Sequence, residues 1–320
     1  MTSPALVLDR VSKRFSGHVA VDDLSLTVPA GSIYGILGPN GAGKSTAIRM
    51  ALNILARDTG TVSLLGADPA TDRSVLRRIG YLPEERGLYR RMRVLDVIAF
   101  FGGLKGLSDR EARRRGREWL ERMGLGDWVH ARVDTLSKGM QQKVQFITTV
   151  VHDPELLVLD EPASGLDPVN QDVLRETILD ARRRGRTVLF STHNMDQAEG
   201  LCEYVCIIAG GRKVLDGPLT EIRRAHRGAH YAVAFDERTP GAEAFMHANA
   251  RFREVVPDGD GWHVELDAGA DPREVLSALN SIDTPVYRFA RVEPSLHEIF
   301  VARVGDVEPR RRGEGLAASS

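Results

Sequence analysis

The residues Gly38-Pro39-Asn40-Gly41-Ala42-Gly43-Lys44-Ser45-Thr46 set glycine, lysine and a hydroxyl at the spacing G-x-x-x-x-G-K-[ST], the phosphate-cradling P-loop. Glycines let successive backbone N–H groups turn toward an anion, and a helix that begins at the loop adds its positive end. In such a loop Lys44 reaches the β- and γ-phosphates of a nucleotide, and the Ser45 hydroxyl ligates Mg2+. The chemistry requires a strand before the loop and a helix after it. Ser32 to Leu37 (SIYGIL) has the apolar run of a short buried strand, and Ala47 to Leu55 places Ile48, Leu52 and Leu55 on one helical face. The context therefore predicts a nucleotide site.

The flanking elements alternate in a way that predicts a parallel sheet. Ala5 to Leu8, Val19 to Val21 and Leu24 to Val28 read as short strands of a small antiparallel sheet, joined by Thr61 to Leu65. Ser74 to Arg78 reads as a short helix and Ile79 to Leu82 as a strand stopped by Pro83. From Val94 to about Trp128 the pattern is helical, with Leu95, Ile98, Ala99, Leu104, Trp119, Leu120 and Met123 as its apolar stripe. Leu156 to Leu159 is a wholly apolar strand ending in Asp160-Glu161, Asn170 to Arg184 an amphipathic helix, and Thr187 to Ser191 the next buried strand. Glu203 to Val214 reads as a hairpin turning at Gly210-Gly211. Strands alternating with helices give an α/β core.

Composition shifts after about Pro218. His230 to Phe235, Phe252 to Val256, Trp262 to Leu266 and Val286 to Ala290 read as strands, with helices at Arg273 to Leu279 and Ser295 to Val304. The expected organisation is a main domain over residues 4–220 with a helical subdomain at about 94–140, a small α+β domain over 221–305, and a disordered tail over 306–320. A length of 320 residues is consistent with two domains. Lys+Arg at 43 nearly balance Asp+Glu at 44, so no global field points to nucleic acid or anionic lipid. Asp109 to Arg122 is arginine-rich, but the interleaved Asp109, Glu111, Glu118 and Glu121 favour a solvated face. The two cysteines, Cys202 and Cys206, make no disulfide framework, and no further ligand completes a metal set around them. The N-terminus lacks a signal-type apolar run, and no stretch of membrane-spanning length occurs; a cytoplasmic protein is expected.

Several further stretches accompany the P-loop in a fixed order: Phe15, the Pro83-Glu84 turn, Leu136-Ser137-Lys138-Gly139-Met140 followed by Gln141-Gln142, Asp160-Glu161, Ser164-Gly165-Leu166-Asp167-Pro168, and Ser191-Thr192-His193. Together they resemble the ATP-binding subunit of ABC transporters over roughly residues 4–220. The resemblance implies a P-loop NTPase (RecA-like) core with an N-terminal antiparallel β subdomain and a helical subdomain, and it implies ATP hydrolysis. In its terms Phe15 stacks on adenine, although a core phenylalanine is the simpler alternative; Ser45, Glu84 and Asp160 hold Mg2+. Glu161 accepts a proton from the attacking water or polarises it, and His193 contacts the γ-phosphate and holds Glu161 in line. Ser137, Gly139, Met140 and Asp167 act in trans, on the ATP held by a second copy in a head-to-tail homodimer.

Two residues depart from the family pattern: Glu84 stands where glutamine is usual, and the signature reads LSKGM rather than LSGGQ. A carboxylate is also a hard oxygen ligand, so the Mg2+ role is expected to persist. YLPEERGLY, LSKGMQQK and the small C-terminal domain narrow the resemblance to efflux-type subunits like the sodium-export ATPase. Such subunits pair with a separate membrane permease, at the inner face of the cell membrane. Met92, Val94, Leu95, Ile98 and Phe101 are candidate permease contacts, with core packing as the alternative. The rival class, ABC ATPases acting on ribosomes or DNA, carries tandem cassettes or a long coiled-coil insertion, and neither occurs here. Nothing in the sequence names a cargo.

Overall fold

The computed structural model describes residues 3–85, 87–164, 166–237 and 239–305, which separate into two units, up to Leu219 and from Thr220 onward. In the first unit β1 (Leu6–Phe15) and β2 (His18–Val28) form a long hairpin. β3 (Ile33–Leu37) then enters the phosphate loop and α1 (Lys44–Ala51), and β4 (Thr59–Leu64) returns antiparallel to β1. After a 3-10 turn over Arg73–Arg78 come β5 (Ile79–Leu82), α2 (Val94–Leu104), α3 (Asp109–Arg122) and α4 (Lys138–Val150). β6 (Leu156–Asp160), α5 (Pro168–Arg183), β7 (Thr187–Thr192), α6 (Met195–Glu199) and the hairpin of β8 (Tyr204–Ala209) with β9 (Arg212–Pro218) complete the unit.

Six strands make the main sheet in the order β5-β6-β7-β3-β8-β9, parallel except for β9. β3, β6 and β7 are buried at every position, as expected of strands with both faces covered. The ends of β3, β6 and β7 lie side by side, with Leu37 paired to Thr192 and Asp160 to Ser191. That is where open parallel sheets bind ligands. The small sheet, β2-β1-β4, packs Leu6, Leu8, Val21, Leu24 and Leu64 into the same core as Ile48 and Met50 of α1.

Several local expectations are corrected. The expected separate strands before residue 30 are two continuous ones, with the β1–β2 register shifting between Leu8 and Val11 and again on either side of Lys13. Arg10 and Asp23 take positive φ there, so the two-residue alternation breaks and one strand reads as two. The short helix expected at Ser74 to Arg78 is present as a 3-10 helix over Arg73–Arg78. Leu104 is 59% exposed and does not belong to the apolar stripe. Val94, Leu95 and Ile98 are fully buried in the helical layer, whereas Tyr89, Phe100, Leu104 and Trp128 are exposed. Phe15 is 47% exposed, which removes the core alternative for it. Cys206 lies in β8 and Cys202 in the turn before it; both are buried, and burial pushes both thiols up.

Arg113, Arg114, Arg115 and Arg122 of α3 are matched by acids. Arg113 pairs with Asp96 and Asp109, while Arg114 and Arg115 converge on Glu111 and hold its carboxyl down to about 2. α7 (Leu219–Ala225) leads into the second unit. There β10 (His230–Phe235), α8 (Pro240–Ala248), β11 (Phe252–Asp258), β12 (Gly261–Leu266), α9 (Pro272–Leu279) and β13 (Val286–Arg291) follow one another, and α10 (Leu296–Gly305) closes the chain. The antiparallel sheet order β11-β12-β10-β13 is that of the split βαβ motif. Its core joins Val233, Phe235, Met246, Trp262 and Leu279. The expected tail, 306–320, and Gly165 of the Ser164–Pro168 stretch lie outside the described residues. Among the described residues no helix is long and apolar enough to cross a membrane.

Candidate nucleotide site

The loop after β3 is held open by glycines where no other residue fits. Gly38 has φ +152° and Gly43 φ +103°; a Cβ on the first would lie 2.1 Å from Ile208 O, and on the second 2.4 Å from Ala20 O. Gly43 caps α1, whose first turn carries no acid, so the helix end keeps its positive character. The loop, with Phe15, His18, Ala20, Glu84 and Glu161, lines a cavity of 540 Å3.

Lys44 lies at its floor, 5% exposed. Its ammonium donates to Gly38 O at 2.8 Å and Pro39 O at 3.2 Å, and stands 3.3 Å from Glu161 Oε1. A buried cation facing a buried carboxylate is the arrangement in which each tolerates the loss of water. Glu161 Oε2 in turn meets His193 Nδ1 at 3.0 Å, and the His193 ring is 55% exposed. Glu161 itself has φ +48°, an unusual backbone for a residue with a side chain.

Asp160, the last residue of β6, is wholly buried. Its Oδ1 accepts from Ser45 Oγ at 2.9 Å and from Ser191 Oγ at 2.6 Å, while its Oδ2 is buried with no hydrogen-bond partner. An orphaned buried carboxylate oxygen is costly unless something binds it. Beside a serine hydroxyl it offers the hard oxygen donors that Mg2+ prefers. Glu84 is exposed and lines both the main cavity and an adjoining recess of 170 Å3 bordered by Asp160, Glu161 and Gln145. Ser45, Asp160 and Glu84 thus fit a divalent cation.

Phe15 and loop residues 40–46 share the cavity, as do Glu84 and Glu161. Ser137, Gly139, Met140 and Asp167 are not among its lining residues. Ser137 caps α4 by accepting from Met140 N–H at 3.2 Å, and Asp167 caps α5 by accepting from Asn170 N–H at 3.0 Å. The Asn170 backbone N–H holds the Asp167 carboxyl below its usual range. These caps present exposed helix starts outward.

Gln145 escaped the sequence reading, and Gln142 and Ser191 were named in it without a role. Gln145, 5% exposed in α4, donates to Pro83 O at 3.4 Å and Glu85 O at 3.1 Å, clasping the turn that carries Glu84. Gln142 donates to Pro162 O at 3.3 Å and Ser164 O at 2.8 Å, tying α4 to the segment after Glu161. Ser191 bonds Asp160 across the sheet. A hydroxyl inside the apolar run Thr187–Thr192 and glutamines on a helix's inward face are the signals that would have found them.

The geometry agrees with what the chain is similar to. The family profile described as ABC transporter matches residues 21–164, and the profile described as ATP-binding protein DrrA1-3-like, C-terminal domain, matches residues 217–304. An uncharacterized ABC transporter ATP-binding protein YhaQ of Bacillus subtilis (strain 168) is 39% identical over 302 residues, covering 94% of this chain and 99% of that protein. The Nod factor export ATP-binding protein I of Paraburkholderia xenovorans (strain LB400) is 34% identical over 292 residues, 88% of this chain and 96% of that one. Among solved structures, one titled as the ATP binding subunit of an ABC transporter superposes with a TM-score of 0.65 at 30% identity, covering 69% of this chain and 92% of the other.

Proposed function

This chain belongs to the ATP-binding subunits of ABC transporters and is an ATPase, and from that premise we propose that it powers an exporter as a head-to-tail pair docked on a membrane permease. One observation carries the hydrolytic part: Lys44, Glu161 and His193 form a continuous chain of contacts beside a bare Asp160 Oδ2. In this reading the triphosphate lies along Gly38–Thr46, Lys44 exchanges Gly38 O and Glu161 for the β- and γ-phosphates, and adenine stacks on Phe15. Lys13 Nζ, 5.8 Å from the Phe15 ring centre and paired with Asp58, backs that ring. Ser45, Asp160 and Glu84 would hold Mg2+, which neutralises charge on the transferring phosphoryl group. Glu161 takes a proton from the water that attacks the γ-phosphorus as the bond to ADP breaks, and His193 keeps that carboxylate in line. Such positioning and charge compensation supply most of what phosphoryl transfer needs.

Ser137, Gly139, Met140 and Asp167 lie away from their own chain's cavity, which supports their use on the nucleotide of a second copy. The α4 N-terminus would meet that γ-phosphate with its positive end. For the permease, the exposed rings of Tyr89 and Phe100, which meet edge to face at 5.4 Å and pack on the half-buried Phe101, offer the docking surface. Solvent-facing aromatic clusters of this kind mark interaction surfaces. The export direction rests on the Nod factor export relative, and the chain would lie on the cytoplasmic face of the membrane through its permease. The test is purification of the Glu161→Gln chain from detergent-solubilised membranes in Mg2+ and ATP. The expected result is loss of hydrolysis and recovery of two copies, with ATP, on a multi-spanning membrane protein. Hydrolysis at the wild-type rate, recovery as a free monomer, or recovery on ribosomes overturns the proposal.

A further inference from the structure

Ser191 has no exposed surface, yet its hydroxyl serves both carboxylate residues of the site. Oγ donates to Asp160 Oδ1 at 2.6 Å and accepts from the Glu161 N–H at 3.1 Å; the same N–H lies 3.2 Å from Ser191 O. The parallel register of β6 and β7 sets Asp160 opposite Ser191, so this contact is built into the sheet. Asp160 Oδ1 is therefore held by two hydroxyls, those of Ser45 and Ser191, while Oδ2 has no partner. A carboxylate tied at one oxygen presents the other in a single direction. Immediately after it Glu161 adopts φ +48°, a conformation that a glutamate keeps only where its surroundings impose it. The N–H donated to Ser191 is the bond that faces this strained step.

We propose that Ser191 is a positioning residue of the ATPase site: its hydroxyl aims Asp160 Oδ2 at the divalent cation and sets the Glu161 backbone so that its carboxylate projects between Lys44 and His193. The inference rests on the ATPase reading above. A serine that merely filled space in β7 would exchange for alanine with no effect on the metal. Here alanine removes one of the two donors on Asp160 Oδ1 and leaves the Glu161 N–H with a backbone carbonyl alone. Hydrogen-bonding groups behind a metal ligand typically change metal affinity or activity by about 10–100-fold.

Mn2+ serves as the probe, its binding to the full chain followed by electron paramagnetic resonance in the presence of a non-hydrolysable ATP analogue. Ser191→Ala is expected to weaken Mn2+ binding about tenfold or more, leave analogue affinity in EDTA within about twofold, and lower kcat with little change in KM for ATP. Ser191→Cys, close in shape but a weak donor, is expected to show the same loss and replaces alanine if that variant does not fold. Mn2+ affinity equal to wild type in the folded variants overturns the proposal. So does an equal loss of metal-free analogue binding, which would mean a collapsed site rather than a misaimed carboxylate. Failure of the wild-type chain to bind Mn2+ with the analogue overturns the ATPase reading together with it, whereas equal binding overturns the Ser191 role alone.

Discussion

The departure at Glu84 tests how much of this site depends on charge and how much on an oxygen in the right place. Glu84 lies exposed on a turn whose flanking carbonyls, those of Pro83 and Glu85, are clasped by Gln145. The turn is thus fixed from α4 while its side chain faces the two cavities. An oxygen ligand for a hard cation needs no net charge where Asp160 already supplies one. Glu84→Gln is therefore expected to keep ATPase activity near wild type, and Glu84→Ala to lower it about tenfold, with a higher Mg2+ requirement. Steady-state hydrolysis measured against Mg2+ concentration checks this; equal activity in all three proteins would remove Glu84 from the site.

At the scale of elements, two basic side chains join the helical layer to the sheet at one carbonyl. Lys105, just past α2, donates to Leu76 O at 2.7 Å and Ile79 O at 2.8 Å, and His152, just past α4, meets Ile79 O through Nε2 at 3.1 Å. His152 Nδ1 is buried without a partner. Burial, reinforced by the Lys105 charge, pushes the imidazole down to about 4, so the folded protein holds it neutral. The unfolded chain takes up that proton near pH 6.5. Stability from this group is thus full above pH 6.5 and is lost as pH falls toward 4, about 2 kcal/mol of it by pH 5. His152→Gln keeps a donor but does not titrate. Urea unfolding at pH 7.5 and pH 5 is expected to show a fall in stability about 2 kcal/mol smaller in the variant than in the wild type, and equal falls would exclude the mechanism. No sequence pattern announced this junction, because it depends on the ends of three elements meeting. The phosphate loop was legible, since Gly38 to Ser45 act through local backbone geometry and near neighbours in the chain. Asp160-Glu161 was legible as polar residues ending an apolar run. The Ser191 bond was not, since it depends on the register of strands some thirty residues apart. Phe100 and Leu104 were misread or overlooked because α2 is buried nearly all round over Val94–Ala99 and exposed only in its last turns.

For the whole molecule the division falls between a nucleotide-handling unit and a unit with its own core. Every residue lining the 540 Å3 cavity lies before Leu219. The second unit buries Val233, Phe235, Met246, Trp262 and Leu279 between its sheet and helices α8 and α9, with β10 central and paired on both sides by β12 and β13. A four-stranded sheet carrying a hydrophobic face has enough burial to fold alone. Two self-sufficient cores predict two transitions, because cooperativity belongs to a core rather than to a chain. Differential scanning calorimetry of the full chain is expected to resolve two unfolding steps, only one of which shifts upward with Mg2+ and ATP, as mass action requires for the unit that binds. A chain ended after Leu219 should keep that ligand-sensitive step and bind ATP within about twofold of full length. A single transition in the full chain, or loss of nucleotide binding on truncation, would mean that the second unit completes the first, and its role would then be sought in assembling the site itself.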